Sequence, residues 1–288
     1  MGLQGRHIVL REFTPLLNRL ITPDEKYLSG TDGSLPAESF LLRVDKNGFL
    51  ETGNAQRGNI PIYILGDSFS EAIFEHEEER FSSILERNLL NAGQDVRVLN
   101  GSFSRASSLH MLNVLVNKVL QRDVQAGTTV ILFRPQIDVQ VTDVRGSYWN
   151  EYGLYSPLHP TVFATDEMAH TEPHDLDSSQ RIFETIVDIC VNFGIRLILG
   201  TAPARQNARN SDPIIQSMFT SDEAWRTCMQ DRATANDQVR FLAQKRSLML
   251  IDADRHFVSS GKGLYDFTHM NRDGQRMLAD LVTTALLA

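Results

Sequence analysis

The chain has 288 residues, of which 42% are apolar and 22% are charged. This length allows one large or two small domains with a sizeable core, and the composition is typical of globular proteins. The formal net charge of −8 disfavours nucleic acid and anionic membrane surfaces as main partners, because both bind basic faces. No segment approaches the run of about 18 apolar residues that a membrane helix needs.

The N-terminus and the cysteine content leave the compartment open. The opening segment MGLQGRHIVLREF has no apolar stretch of signal-peptide length. Cys190 and Cys228 are too few for a disulfide framework, and both fall in segments with helical periodicity. We expect a cytoplasmic protein if the chain is complete, and a periplasmic or secreted one if an export signal has been removed. Nothing in the sequence indicates an oligomeric state.

Residues 1–58 differ in pattern from the rest of the chain. A possible helix lies around Arg11–Leu20. The segment LLRVDKNGFLETG is similar to a β-hairpin, with Lys46, Asn47 and Gly48 at its turn. We expect 1–58 to be an N-terminal extension that packs on a main domain formed by residues 59–288.

Short apolar runs alternate with longer amphipathic segments from about residue 60 onward. The runs are nearly continuous, which is typical of strands covered on both faces. Strict alternation of strand and helix predicts an α/β fold with a parallel sheet of about five strands and helices on both sides. The predicted strands are Ile60–Gly66, Val96–Gly101, Thr129–Arg134, Ile195–Thr201 and Ser247–Asp252, and the predicted helices are Arg80–Asn91, Leu109–Leu120, Leu176–Phe193, Glu223–Arg246 and Arg272–Leu287.

The segment of about residues 140–176 has no clear periodicity, and such a long loop in a compact domain is usually a lid, a binding element or disordered. We predict that it covers the pocket as a lid or insertion. Its aromatic residues Tyr148 and Trp149 are candidates for substrate contacts or for anchoring the loop to the core. His170 and His174 have the spacing of zinc ligands, but no matched second pair accompanies them, so a solvated loop without metal is favoured.

A Gly-Asp-Ser tripeptide follows the first strand of the predicted main domain, in the segment ILGDSFSEA. In parallel α/β sheets, ligands bind beyond the carboxyl ends of the strands, which is where Ser68 lies. The following residues are predicted to be helical, and free N–H groups at a helix start can stabilise negative charge on a reacting oxygen. Ser68 is therefore a candidate nucleophile that needs a base within hydrogen-bond reach.

The candidate base lies in the segment DFTHMN, just before the last predicted helix. Asp266 and His269 are three residues apart, so the carboxylate can bond one imidazole nitrogen and fix the tautomer. The other nitrogen is then free to take the proton of Ser68. The order Ser, Asp, His also occurs in α/β-hydrolases, but their G-x-S-x-G frame would here end in Ser70 instead of glycine.

The segments ILGDSFSEA and DFTHMNRDGQRMLADL resemble the first and fifth sequence blocks of the SGNH (GDSL-like) hydrolases, over about residues 60–288. The resemblance implies a flavodoxin-like three-layer domain without a cofactor. It also implies a triad of Ser68, Asp266 and His269. The family's chemistry is ester hydrolysis or acyl transfer, often on acetylated sugars, so a small acyl ester or an acetylated sugar is the expected substrate.

The middle blocks of the family fit less well. The resemblance implies an oxyanion hole in which the N–H of Ser68 acts with that of Gly101 or Ser102 after the second strand. The third block normally supplies an asparagine side chain, and Gln136 is the closest substitute in this chain. Asp67 is a further candidate for substrate binding. Two arginines, Arg134 and Arg105, are placed to reach the pocket mouth and meet an acidic substrate, although exposed solvation is the default for arginine.

Two other functions remain open at this point. The missing third-block asparagine favours a catalytically degenerate binding or accessory protein of the same fold, acting in polysaccharide modification. A nucleotide-binding flavodoxin-like protein is disfavoured, because no glycine-rich phosphate loop follows the first strand. Placement of the two motifs at a strand end and before the last helix favours a serine-dependent esterase or acyltransferase over both.

Overall fold

The computed structural model describes residues 8–121, 124–145, 148–149, 155–157, 176–260 and 262–288. A two-stranded antiparallel sheet comes first, and a five-stranded parallel sheet follows. The elements of the N-terminal region are β1 (Asn18–Ile21), α1 (Glu25–Leu28) and β2 (Phe40–Arg43). The strands of the large sheet are β3 (Ile60–Leu65), β4 (Val96–Asn100), β5 (Thr129–Phe133), β6 (Arg196–Gly200) and β7 (Met249–Ile251).

The large sheet has the order β4-β3-β5-β6-β7 with every pair parallel. Helices follow the strands and cover both faces, so the sheet is the middle layer of an α/β sandwich, as the sequence pattern predicts. The helices are α2 (Ser68–Glu71), α3 (Phe81–Asn91), α4 (Ser108–Val114), α5 (Ile137–Arg145), α6 (Leu176–Asn192), α7 (Pro213–Met218), α8 (Asp222–Lys245), α9 (Ala253–Ser260) and α10 (Arg272–Leu287).

Alternate residues of each central strand enter different cores. On β3, Ile62 and Ile64 belong to the core under α3 and α10, whereas Tyr63 and Leu65 belong to the core under α4, α6 and α8. Both strand faces are thereby removed from water, which explains why the strands read as continuous apolar runs. None of the helices in the described ranges is long and apolar enough to cross a membrane.

The predicted strands and long helices are confirmed, with boundaries that differ by one or two residues except at two places. The first is Leu109–Leu120, where α4 ends at Val114 and Leu115–Val119 continue as a π-helical turn. The second is the N-terminal region, where Arg11–Leu20 is not a helix, because Asn18–Ile21 pair with β2 as a strand.

The predicted hairpin turn is present, and the segments on its two sides are bonded to each other. Asp45 and Phe49 are bonded across the turn, and Val44 and Leu50 form an isolated antiparallel bridge. Gly48 takes a φ of 83°, which glycine adopts without strain. Leu50 then bridges to Asn100 at the end of β4, so this part of residues 1–58 contacts the large sheet directly.

The close packing between β5 and β6 can be tested by substitution. Gly200 lies opposite Phe133, and a Cβ at Gly200 would lie 2.2 Å from Cδ1 of that ring. We predict that Gly200→Ala lowers the free energy of unfolding by about 1–3 kcal/mol through overpacking. Urea denaturation of Gly200→Ala, Phe133→Leu and the double variant checks this. The smaller leucine should recover part of the loss in the double variant, and strictly additive effects would contradict the contact.

Candidate functional site

Ser68 is the first residue of α2 and follows the end of β3 by three positions. Asp67 precedes it as the helix N-cap, with its Oδ1 accepting the N–H of Phe69. Gly66 permits the tight turn, because a Cβ there would lie 2.0 Å from Oγ of Ser70. The Gly-Asp-Ser sequence thus produces a strand-to-helix turn that presents Ser68 at the carboxyl edge of the sheet.

Asp266 and His269 lie on a turn just before α10, and this turn is organised by the aspartate. Oδ1 of Asp266 accepts the N–H groups of Thr268 and His269, at 2.8 and 2.7 Å. Its Oδ2 lies 2.7 Å from Nδ1 of His269, and Nε2 of the same ring lies 2.8 Å from Oγ of Ser68. The three residues form one hydrogen-bonded chain, although Ser68 and His269 are 201 positions apart.

The Asp–His contact changes the pKa of both groups. Burial disfavours protonated imidazole, but the charge of Asp266 and its bond to Nδ1 outweigh that effect, so the pKa of His269 lies above its usual value. For Asp266, burial acts to raise the pKa, whereas the charge and hydrogen bonds of His269 lower it below the usual value. The pair therefore favours a charged carboxylate beside an imidazole that readily accepts a proton.

Two tyrosines enclose the outer side of this pair. The ring of Tyr265 stacks on His269, with centroids 5.7 Å apart and planes at 18°. The hydroxyl of Tyr27, on α1, lies 3.1 Å from that of Tyr265 and 3.5 Å from Nδ1 of His269. Residues 1–58 therefore contribute a side chain directly to the surroundings of the Asp–His pair.

The turn after β4 contains several backbone N–H groups that could serve as oxyanion donors if they are not already hydrogen-bonded. The N–H of Gly101 donates to Ile64 O, and that of Ser102 donates to Oδ1 of Asn100, so neither predicted donor is available. The reason is that residue 101 still continues the ladder of the sheet. The N–H groups of the following residues are also bonded. That of Phe103 donates to Gly66 O, that of Ser104 to the Glu71 carboxylate, and that of Ala106 to Phe103 O.

Arg105 is the exception in this turn. No hydrogen bond from its N–H is present within the described ranges, and it lines the cavity beside Ser68. Its φ is 64°, a left-handed conformation that costs a non-glycine residue about 1–2 kcal/mol. The N–H groups of Ser68 and Arg105 are therefore the backbone candidates for stabilising an oxyanion.

Gln136 and Asp67 lie at the cavity but are engaged with other groups. The side-chain amide of Gln136 donates to Pro203 O at 3.0 Å, which uses one of its two N–H bonds. The N–H of Gln136 donates to Oδ2 of Asp67 at 2.6 Å. Since both carboxylate oxygens of Asp67 accept from the backbone, this residue links two strand ends, and a substrate contact of Asp67 stays a prediction. An oxyanion role for Gln136 stays a prediction.

Arg134 and Tyr148, which the sequence also predicts to contact the substrate, are buried inside the protein. Arg134 is 1% exposed and is held by Asp138, Ser179 and Gln180. Tyr148 is fully buried, and its hydroxyl donates to Ser107. Trp149 packs edge-on against Tyr148 and is not among the residues that line the cavity. Tyr148 thus anchors the segment to the core, which is one of the two roles expected for it, and a substrate contact of Trp149 stays a prediction.

A cavity of about 720 Å³ surrounds Ser68 and His269. Its described wall includes Gln140 and Tyr155 from the predicted lid, but residues 146–147, 150–154 and 158–175 lie outside the described ranges, with the histidine cluster among them. Glu71 is 2% exposed and lines the same cavity. Burial raises its pKa to about 7, despite hydrogen bonds from the hydroxyl and N–H of Ser104.

Sequence reasoning missed Tyr27, Glu71 and Arg11 as cavity residues. Glu71 is three positions after Ser68, and the one-turn helix that brings it inward could have indicated it. Tyr27 and Arg11 come from the N-terminal region, where no pattern in the sequence predicts contact with a distant strand edge.

Comparison with known proteins was informative only at the level of structure. No family model matches the chain, and no curated protein sequence matches it. The acetyl xylan esterase AlAXEase is 16% identical, with a TM-score of 0.55 over 79% of this chain and 100% of that one. The acetylxylan esterase Axe2 from Geobacillus stearothermophilus is 15% identical, with a TM-score of 0.54 over 80% and 95%.

A third similar structure is a member of the lipolytic G-D-S-L family from Veillonella parvula. It is 12% identical, with a TM-score of 0.53 over 78% of this chain and 97% of that one. At such identities the likeness concerns the fold, and it agrees with the α/β sandwich described above. The chain has the α/β fold of these esterase and lipolytic-family structures.

Proposed function

We propose that this protein is a serine-dependent acyl-ester hydrolase or acyltransferase. The observation that carries the proposal is the hydrogen-bonded chain from Oγ of Ser68 through the imidazole of His269 to Asp266, with contacts of 2.8 and 2.7 Å. A serine hydroxyl becomes an effective nucleophile when a base of this kind can take its proton. The adjoining cavity gives an ester room to reach that hydroxyl.

In the first half-reaction, Oγ of Ser68 attacks the carbonyl carbon of the ester while Nε2 of His269 takes the hydroxyl proton. The carbonyl oxygen becomes an oxyanion, for which the free N–H groups of Ser68 and Arg105 are the donors. The bond to the leaving alkoxide then breaks, and protonated His269 returns the proton to that oxygen. The products are an acyl-serine and an alcohol.

In the second half-reaction, water or an acceptor hydroxyl attacks the acyl-serine, and His269 takes its proton. Collapse of the new oxyanion releases Oγ of Ser68, which regains the proton from His269. Asp266 stays ionised throughout, because it stabilises the imidazolium and fixes Nδ1 as the protonated nitrogen of the neutral ring. Hydrolysis and transfer differ only in which hydroxyl reaches the acyl-serine.

An acetylated carbohydrate is the substrate class that we propose. Two of the similar structures are named as acetyl xylan esterases. The cavity wall combines aromatic side chains with polar groups, among them Phe74, Phe103 and Gln140, a mixture suited to a sugar ring and its hydroxyls. The alternative is a catalytically inactive binding protein of the same fold. The next experiment distinguishes an enzyme from such a protein.

Ser68→Ala should abolish turnover of 4-nitrophenyl acetate, with kcat/KM falling by about 10⁴–10⁶-fold, because the nucleophile is lost. Circular dichroism should confirm that the variant is folded, and a fluorophosphonate probe should label the wild type but not the variant. Ser70→Ala is the matched control, since Ser70 is buried two positions away and bonds Ser102. Equal labelling of wild type and Ser68→Ala would contradict the assignment.

The pH dependence of kcat/KM tests the Asp–His pair. Protonated His269 cannot accept the serine proton, so activity should fall as the pH drops through a pKa that Asp266 holds above the usual histidine value. Asp266→Asn removes that charge, so the acid limb should move to lower pH. The maximal rate should also fall, by up to about 10⁴-fold, as in serine proteases.

Asp273→Asn is the control for this profile, because Asp273 is an exposed acid in the first turn of α10. It should leave the acid limb where the wild type has it. If the limb of folded Asp266→Asn coincides with that of the wild type, Asp266 only caps the turn before α10 and the triad is wrong.

A further inference from the structure

Arg105 presents its side chain to the cavity from a left-handed backbone position. Its φ is 64°, a region that glycine and asparagine occupy far more readily than arginine. The N–H that is available for an oxyanion would be present with glycine as well, so the oxyanion role does not call for a long cationic side chain. An unfavourable backbone conformation kept at a candidate active site is grounds for seeking a function of the side chain.

The guanidinium of Arg105 is exposed at the cavity wall and has no carboxylate partner within the described part of the chain. A second cation, the buried Arg11, donates to Arg105 O and to the carbonyls of Tyr155 and Ser156. Burial and the charge of Arg105 lower the pKa of Arg11 to about 10, so Arg11 is still charged at neutral pH.

Acidic side chains also line the same cavity. Asp67, Glu71 and Asp266 line it around His269, and the charges of all three act on that histidine. Negative charge on these side chains disfavours an anion next to His269, whereas the guanidinium of Arg105 attracts one, and a neutral acyl group meets no such penalty beside His269. This separation of charge can orient a substrate that is neutral at its ester and negative elsewhere.

We propose that Arg105 binds an anionic group on the acyl ester, so that the substrate class is an acylated molecule carrying a carboxylate or phosphate near its ester. This inference rests on the proposed function for the chemistry, but the binding of the anion itself needs no catalysis. Arg105 would thereby supply two separate interactions, a backbone N–H to the oxyanion and a guanidinium to the anion. A guanidinium can bind a carboxylate or a phosphate through two parallel hydrogen bonds.

Three acetate esters of one leaving-group type test the charge preference: methyl 4-acetoxybenzoate is neutral, 4-acetoxybenzoate carries a carboxylate, and 4-acetoxyphenyl phosphate carries a phosphate. The readout is the ratio of kcat/KM for each anionic ester to that for the neutral ester. We expect Arg105→Gln to lower this ratio by about ten- to a hundredfold, the worth of a charge-assisted hydrogen bond. Arg105→Lys should retain part of it, and the more affected ester identifies the preferred anion.

Arg196→Gln is the control, because Arg196 is exposed at the start of β6, at the opposite edge of the sheet from Ser68. Its ratio should equal that of the wild type. If the ratio is unchanged in Arg105→Gln, Arg105 does not bind the anionic group and the proposal is wrong. If Arg196→Gln lowers the ratio equally, the effect comes from net charge alone, which would also overturn the proposal.

Binding to the Ser68→Ala protein separates this proposal from the proposed function. NMR titration should show 4-hydroxybenzoate or 4-hydroxyphenyl phosphate binding more tightly than methyl 4-hydroxybenzoate, and the added Arg105→Gln change should remove the difference. That result would support the anion site even if no ester were turned over. Equal binding of the three compounds to Ser68→Ala would overturn the anion site even if Ser68 proved to be the nucleophile.

Discussion

The buried carboxylate of Asp67 joins two neighbouring strand ends of the parallel sheet. One oxygen caps α2 after β3, and the other accepts the N–H of Gln136 after β5. Burial raises the pKa of Asp67, and the two backbone bonds offset part of that cost by favouring the charged form. With both oxygens committed, the turn that carries Ser68 is fixed relative to the rest of the sheet edge, and the distance to His269 depends on that position.

The same edge is completed by residues outside the alternating strand and helix pattern. Tyr27 reaches the Asp–His pair from α1, and Arg11 fastens the turn at Arg105. Burial raises the pKa of Tyr27, so its hydroxyl stays neutral beside the charged aspartate and can donate a hydrogen bond. We propose that residues 1–58 are an extension that belongs functionally to the main domain, since their side chains form part of its cavity wall.

Most of the sheet and the long helices could be predicted because each strand is buried on both faces and each helix on one. Ser68, Asp266 and His269 could be nominated because parallel topology brings strand ends to one edge. The failures have a different origin. The position of Arg134 at the end of a strand predicts a cavity residue, but its partners Asp138 and Ser179 hold the side chain inside. Sequence position places a residue at an edge, and only tertiary partners decide where its side chain points.

The turn after β4 illustrates this limit in the backbone itself. Family resemblance pointed to Gly101 or Ser102 as the donor, but the sheet ladder extends one residue past the strand, and Asn100 occupies the next N–H. The chain must then bend before an N–H becomes free, which occurs at Arg105 in a left-handed conformation. Counting hydrogen bonds residue by residue thus locates a donor that neither spacing nor residue type could indicate. It also explains why a left-handed backbone position lies beside the candidate nucleophile.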